Sequence, residues 1–342
     1  AFDVLYDIYL SAGYSEREIP TLILEKNLYG LDIDDRAGQL ATFALLMKAR
    51  SKNRRIFRHK PKMNLCSIQE SNDIPKEAIE YLVNQKETEL EKHFHREDIE
   101  YLIEVFHDAK EYGSILDVKK IDFDALEKRI EEVRSNVPED LFELQYREII
   151  LEKIPPLIQQ AKIMSQKYDV VCTNPPYMGR RGMNLKLGKY LDEQFKDSKT
   201  DLFAVFIQHS FRLGKRHSYI SMITMESWMF LSSFEELRNK IIKDSTIINL
   251  THMPYEGKGR TSLGINFGTT AFILAKNKIK EYKGSYSYIQ YTDIDEDGDP
   301  YVFPVQNERL KVTRMEDYEI IPSCPIAYWA SKNLINNFKY GF

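Results

Sequence analysis

From Lys167 onward the chain alternates short β-branched runs with amphipathic stretches, and this alternation constrains its fold more than any other feature. Val170–Thr173, "SYISMIT", "TIINLTHM" and "TTAFILAKN" read as strands, while "DLFAVFIQHSFRLGK" from Asp201 and "FEELRNKIIKD" read as the helices between them. The same grammar governs the start of the chain. A short strand over Leu28–Ile33 leads through an acidic turn into a helix from about Arg36. A basic connector, "RSKNRRIFRHKPK", then precedes a second strand, "NLCSIQESND", that ends in Ser71, Asn72 and Asp73. Alternating β and α elements predict an α/β fold with a mostly parallel, doubly wound sheet and helices on both faces. Between residues 75 and 166 the pattern changes to charged segments with Leu, Ile and Phe at three-and-four spacing, which predicts an inserted set of amphipathic helices. The expected divisions are therefore 1–74, 75–166, 167–320 and a tail, 321–342. "AFDVLYDIYL" is already periodic at its first residue, so Ala1 reads as a position inside a helix.

With 43% hydrophobic residues the chain can bury a substantial core, and a net charge of -4 confines any nucleic-acid surface to a local patch. Cys66, Cys172 and Cys324 show no CxxC spacing, which points away from a disulfide framework or a zinc site and towards a reduced, cytoplasmic setting. No apolar run approaches the roughly 18 residues of a membrane span, and no basic-then-apolar leader opens the chain. His93, His95 and His107 lie on the charged helical insert and read as solvent-facing, so no metal is expected.

The stretch "KYDVVCTNPPYMG" carries the chemistry. In an open α/β sheet, ligands bind beyond the carboxyl ends of the strands, and Asn174, Pro175, Pro176 and Tyr177 follow such an end. The amide of Asn174 and the backbone carbonyl of Pro175 offer two acceptors, and proline fixes the backbone angle between them. Two adjacent acceptors match the two hydrogens of a planar amino group and turn its nitrogen lone pair towards an electrophile. Tyr177 adds a flat face for a flipped base or another planar group. The plainer alternative is a turn that ends the ladder, with Tyr177 plugging the core. Cations nearby, Arg180 and Arg181 after the motif and Lys258 and Arg260 in "EGKGR", suit phosphates flanking a flipped base.

"NPPY" after an apolar strand resembles the signature of S-adenosylmethionine-dependent amino-group methyltransferases, chiefly those acting on adenine N6 in DNA. "LYGLDID", "IQESNDI", "DLFAVFIQHSFRL" and "ESWMFLSSFEELR" extend the similarity through most of the chain. More narrowly, "ILEKNLYGLDIDDRAGQLATFALLMKA", "NPPYMGRRGMN", "EGKGRTSLGINFGTTAFIL" and "IPSCPIAYWAS" resemble the PglX family of adenine-specific methyltransferases in BREX phage-defence systems. The resemblance implies a Rossmann-like methyltransferase sheet with a helical insertion, S-adenosylmethionine as cofactor, double-stranded DNA and other defence-system proteins as partners, and host DNA marked at adenine N6. It places the cofactor ribose on Asp32, with Ile33 beside it, and the cofactor adenine on Asn72 or alternatively Asp73. Asn174 and Asp201 help line the cofactor and base pocket. Asn72 or Asp73 as the helix cap before Pro75 stands beside that reading.

The family's Gly-x-Gly turn, expected before "FDVLYDIYL", is absent, and Gly257-Lys258-Gly259 does not replace it because a strand rather than a helix follows. "SPIAYW"-like residues precede a target recognition domain in the family, so the chain reads as a core excised from a longer protein, expected by itself to bind cofactor poorly or not at all and to lack sequence specificity. Two other functions fit the same residues: methylation of a protein glutamine amide, and a silent scaffold that binds DNA or defence partners.

Overall fold

The computed structural model describes residues 1–58, 60–83, 89–253, 267–296, 299–304 and 308–340, with side chains undescribed over 89–95 and 339–340. The chain divides into two compact units, Ala1–Gln166 and Lys167–Phe342.

In the first unit, α1 (Phe2–Ser11) and the short α2 (Ile19–Leu22) pack Phe2, Tyr6, Ile19, Ile23 and Leu24 into one apolar cluster. Strand β1 (Tyr29–Asp32) follows, then α3 (Asp35–Lys52) and strand β2 (Asn64–Ser67). The two strands pair in parallel from Tyr29 against Asn64 to Asp32 against Ser67. Asp34 starts α3 as its N-cap, its carboxylate accepting the Arg36 N–H at 2.7 Å. The insert is helical: α4 (Lys76–Leu82), α5 (Glu89–Val105), α6 (Ala109–Tyr112), α7 (Phe123–Ser135) and α8 (Leu141–Ser165). Helix α8 is tied to the chain beyond β2 by Gln160, which is fully buried. Its carbonyl accepts the Gln69 N–H at 2.8 Å and its amide donates to the Gln69 carbonyl at 2.9 Å. One side chain thus satisfies both backbone groups of a residue with no strand partner.

The second unit contains β3 (Tyr168–Thr173), α9 (Leu185–Gln194), α10 (Leu202–Leu213), β4 (Gly214–Met225), α11 (Glu235–Asp244), β5 (Thr246–Met253), β6 (Thr269–Ala275), β7 (Lys283–Tyr288), β8 (Leu310–Arg314) and α12 (Lys332–Tyr340). Its six strands run in the order β3-β4-β6-β5-β7-β8. The α/β class stands, but the sheet is mixed and not mostly parallel. β3–β4 and β5–β7 are parallel, whereas β6 runs antiparallel to both β4 and β5, and β8 antiparallel to β7. Met253 at the end of β5 opposes Thr269 at the start of β6, so the chain doubles back into the gap beside β4. Helices α10 and α11 bury Phe203, Ile207, Leu237 and Ile241 against Ile220, Met222, Ile247 and Phe272 of the sheet. Among the described residues, no helix is long and apolar enough to cross a membrane.

Candidate functional site

The loop Asn174–Tyr177 leaves the end of β3, where β4 runs alongside with Thr173 opposite Met222. Pro175 is buried while Asn174 and Pro176 are exposed, so Pro175 anchors the loop beneath an exposed Asn174. The Tyr177 phenol shares its proton between the Ile223 carbonyl at 3.1 Å and Asn174 Oδ1 at 3.2 Å. A carbonyl oxygen has two lone pairs, so Asn174 Oδ1 keeps acceptor capacity while its position is fixed by the loop's own tyrosine. Partial burial pushes the Tyr177 pKa up, keeping the phenol protonated as this donor. Its ring meets Phe203 edge-on at 6.5 Å and Phe267 at 5.4 Å.

Asp201 holds the other end of the loop. It caps α10, accepting the Phe203 N–H at 3.3 Å, and the same oxygen accepts the Met178 N–H at 3.2 Å. The Leu202 N–H donates back to the Met178 carbonyl at 3.1 Å. The structure therefore brings Asn174, Tyr177 and Asp201 together, with Asp201 clamping the loop onto the helix start. Burial raises the Asp201 pKa, against the backbone N–H groups that favour its anion. With the folded pKa above the unfolded one, ionising Asp201 lowers stability as pH rises through the folded value, and below the unfolded value that cost is absent. Asp201→Asn keeps a carbonyl for both N–H groups and cannot ionise. We expect its melting temperature to exceed that of the wild type at neutral pH, with the gap closing as pH falls to about 4; thermal unfolding across that range checks this.

Arg180 is not a free cation. Its guanidinium pairs with Asp192 and donates to the Gly188 carbonyl at 2.9 Å, fastening the loop to α9. Arg181 is exposed and has neither hydrogen bond nor ion pair among the described residues. Lys258 and Arg260 lie outside the described residues, as do the side chains of His93 and His95. His107 is exposed beside the Asp108 carboxylate at 3.3 Å.

Three groups that sequence reasoning missed meet where β4 and β5 end. Glu226, directly after β4, lies 2.5 Å from His252 Nε2 on β5, and His252 Nδ1 lies 2.8 Å from the Tyr328 hydroxyl. The Glu226 N–H donates to the Gly268 carbonyl at 2.9 Å, and a Cβ on Gly268 would fall 2.2 Å from the Glu226 carboxyl carbon. A side chain there would push the carboxylate out of its present place beside His252. Phe267, which touches Tyr177, immediately precedes Gly268. The one local signal was the aromatic–glycine pair opening "FGTTAFIL"; the partners themselves are far apart in sequence.

In the first unit, Asp32 ends β1 with Oδ1 accepting the Asp34 N–H at 2.9 Å, while Oδ2 takes no hydrogen bond among the described residues. Ile33 beside it is 50% exposed. Asp35 begins α3 with its carboxylate held by Gln69 Nε2 at 2.8 Å and Lys110 Nζ at 3.2 Å, which lower its pKa. Asn72 is fully engaged elsewhere: its Oδ1 accepts the Asp108 N–H at 2.8 Å and its Nδ2 donates to the Asp108 carboxylate at 3.1 Å. Asp73 is 88% exposed, 3.8 Å from Lys153. Asp32 and Ile33 thus present an open carboxylate edge and an apolar face, whereas the Asn72 amide is committed to the insert. Among the described residues, no group of His, Cys, Asp and Glu could hold a metal ion.

Residues 26–258 match the Eco57I restriction-modification methylase family, and the chain belongs to that family. It is 38% identical to the adenine-specific methyltransferase BrxX of Escherichia coli O9:H4 (strain HS), over 99% of this chain and 29% of that protein. It is 35% identical to the adenine-specific methyltransferase PglX of Lacticaseibacillus casei (strain Zhang), over 99% of this chain and 28% of that protein. The chain thus spans less than a third of the length of these curated relatives. Among solved structures it is similar to a nuclease-deletion mutant of the Type ISP restriction-modification enzyme LlaGI in complex with a DNA substrate mimic. The TM-score is 0.42 at 12% identity, over 84% of this chain and 20% of that one.

Proposed function

We propose that this chain is the methyl-transferring core of a DNA adenine-N6 methyltransferase that uses S-adenosylmethionine, acting in the cytoplasm to mark host DNA in phage defence alongside other defence proteins. The observation that carries the reading is the Asn174 amide, exposed at the end of β3 and pinned by Tyr177. S-adenosylmethionine, when bound, supplies an electrophilic methyl group on a sulfonium centre. The open oxygen of Asp32 fits one hydroxyl of its ribose, and the exposed face of Ile33 fits its adenine ring.

The remaining work falls to the substrate's amino nitrogen. Asn174 Oδ1 and the Pro175 carbonyl each hold one amino hydrogen, drawing the lone pair out of conjugation with the base. Tyr177, with Phe267 edge-on to it, offers the aromatic surface on which a flipped base stacks. The nitrogen–carbon bond would form as the sulfonium's methyl–sulfur bond breaks to leave a neutral thioether, and the nitrogen would shed one proton to solvent past these acceptors. Positioning and exclusion of water carry such a displacement without a strong general base.

Incubating the full-length protein with S-adenosylmethionine and unmodified duplex DNA should yield N6-methyldeoxyadenosine on nucleoside analysis. Methyl groups found on a glutamine-bearing peptide and not on DNA would overturn the reading in favour of a protein substrate.

A further inference from the structure

Residues 36–69 contain nine Lys or Arg and no Asp or Glu, although the whole chain has more acidic than basic residues, 52 against 48. At the chain's average, a run of that length would carry about five carboxylates. Two of the cations are accounted for within the fold. Lys48 pairs with Asp3 at 2.7 Å, and the Lys52 ammonium sits 4.6 Å above the Tyr6 ring. Arg50, Arg54, Arg55, Arg58 and Lys60 are exposed and form no ion pair among the described residues.

These charges are gathered by a buried side chain and not merely scattered on the surface. Asn53, 8% exposed, donates to the Arg17 carbonyl at 2.8 Å and accepts the Arg55 N–H at 2.9 Å. That clamp draws two distant turns together, and Arg17, Lys52, Arg54 and Arg55 line a cleft of about 330 Å³ whose only carboxylate is Glu16. The Arg58 N–H donates to the Arg55 carbonyl at 3.0 Å, turning the chain so that Arg58 follows close behind. Between them Phe57 is 48% exposed, a large aromatic face in a cationic surface. The patch lies at the far end of α3 from Asp32; 18 residues of helix separate them by about 27 Å.

We propose that this patch is a second DNA contact, binding the sugar–phosphate backbone at a distance from the strand end that carries Asp32. The proposal rests on the preceding section only in taking DNA as the partner. Guanidinium forks match phosphate oxygens in pairs, and an exposed aromatic among arginines suits a sugar or an unpaired base. Binding here releases counterions and adds affinity without reading sequence.

The test is equilibrium binding of a labelled DNA duplex to the full-length protein between about 50 and about 200 mM salt. Each phosphate contact adds about 0.9 to the slope of log affinity against log salt, so Arg54→Ala, Arg55→Ala and Arg58→Ala together should make the slope shallower by about 2.7. Over that fourfold salt range the variant should lose about 40-fold less affinity than the wild type. Phe57→Ala should weaken binding with the slope unchanged. A control removing three ion-paired cations, Arg134→Ala, Lys215→Ala and Lys240→Ala, should leave the slope within about 1 of the wild type. The proposal is overturned if the triple variant keeps the wild-type slope, or if the control shifts it equally. It is also overturned if the variant keeps DNA binding but loses binding to polyglutamate, which would make the patch a dock for an acidic protein. Asn174→Ala, which should abolish transfer without moving the slope, keeps failure of this site distinct from failure of the catalytic reading.

Discussion

Asn174→Ala in the full-length protein should lower the rate of methyl transfer to DNA by about 10³-fold, the scale seen when a single preorganised catalytic hydrogen-bonding group is removed. The loss should fall on kcat rather than on DNA affinity, because the amide acts on the amino group and no phosphate depends on it. Stability should stay within about 0.5 kcal/mol of the wild type. Asn174 is exposed, and its described side-chain bond is the one shared with Tyr177, which retains the Ile223 carbonyl at 3.1 Å. Single-turnover transfer and thermal unfolding, measured on the same preparation, separate the two effects. A stability loss matching the activity loss would mean that Asn174 serves the fold and not the chemistry.

The largest stability effect should come from Arg238, which is fully buried on α11 and faces no carboxylate within bonding distance among the described residues. Its guanidinium donates to three backbone carbonyls: Trp228 at 3.0 Å, Leu231 at 2.5 Å and Ser323 at 2.9 Å. Burial lowers its pKa, but an arginine remains charged, and these dipoles compensate the charge. Arg238→Ala leaves three carbonyls without their donor and a void beneath Trp228. Removing one side of such a buried network costs about 3 kcal/mol or more. Arg238→Lys should recover less than half, since a point-like ammonium cannot span the 228–231 turn and Ser323 together. Urea unfolding followed by tryptophan fluorescence reads the change, because Trp228 is buried at the contact. An Arg238→Ala protein as stable as the wild type would show that the carbonyls find other donors.

What the sequence disclosed depended on how local each cause was. Asn174–Tyr177 was legible because two prolines end a strand within four residues, and the start of α10 was legible because Asp201 precedes an apolar run as a cap. Strand β5 emerged over Thr246–Met253 as its β-branched pattern implied. The antiparallel insertion of β6 was hidden, since an apolar strand reads the same in either direction. So were β7 and β8, whose sequences alternate too weakly. Ties within each unit join residues far apart in the chain: Asn72 to Asp108 in the first, and Glu226 to His252 and His252 to Tyr328 in the second. Arg180 illustrates the limit. Its position beside the motif suggested a phosphate ligand, but only the packing of α9 brings Asp192 within reach of it.

The central claim, that the Asn174 amide delivers a methyl group to adenine N6 in DNA, is tested most directly in cells. Modification-sensitive long-read sequencing would compare genomic DNA from cells carrying the wild-type gene with DNA from cells carrying Asn174→Ala. N6-methyladenine at one short motif in the first and its loss from the second is the predicted result. Methylation that persists in the variant, or a methylome without the mark in either strain, would contradict it.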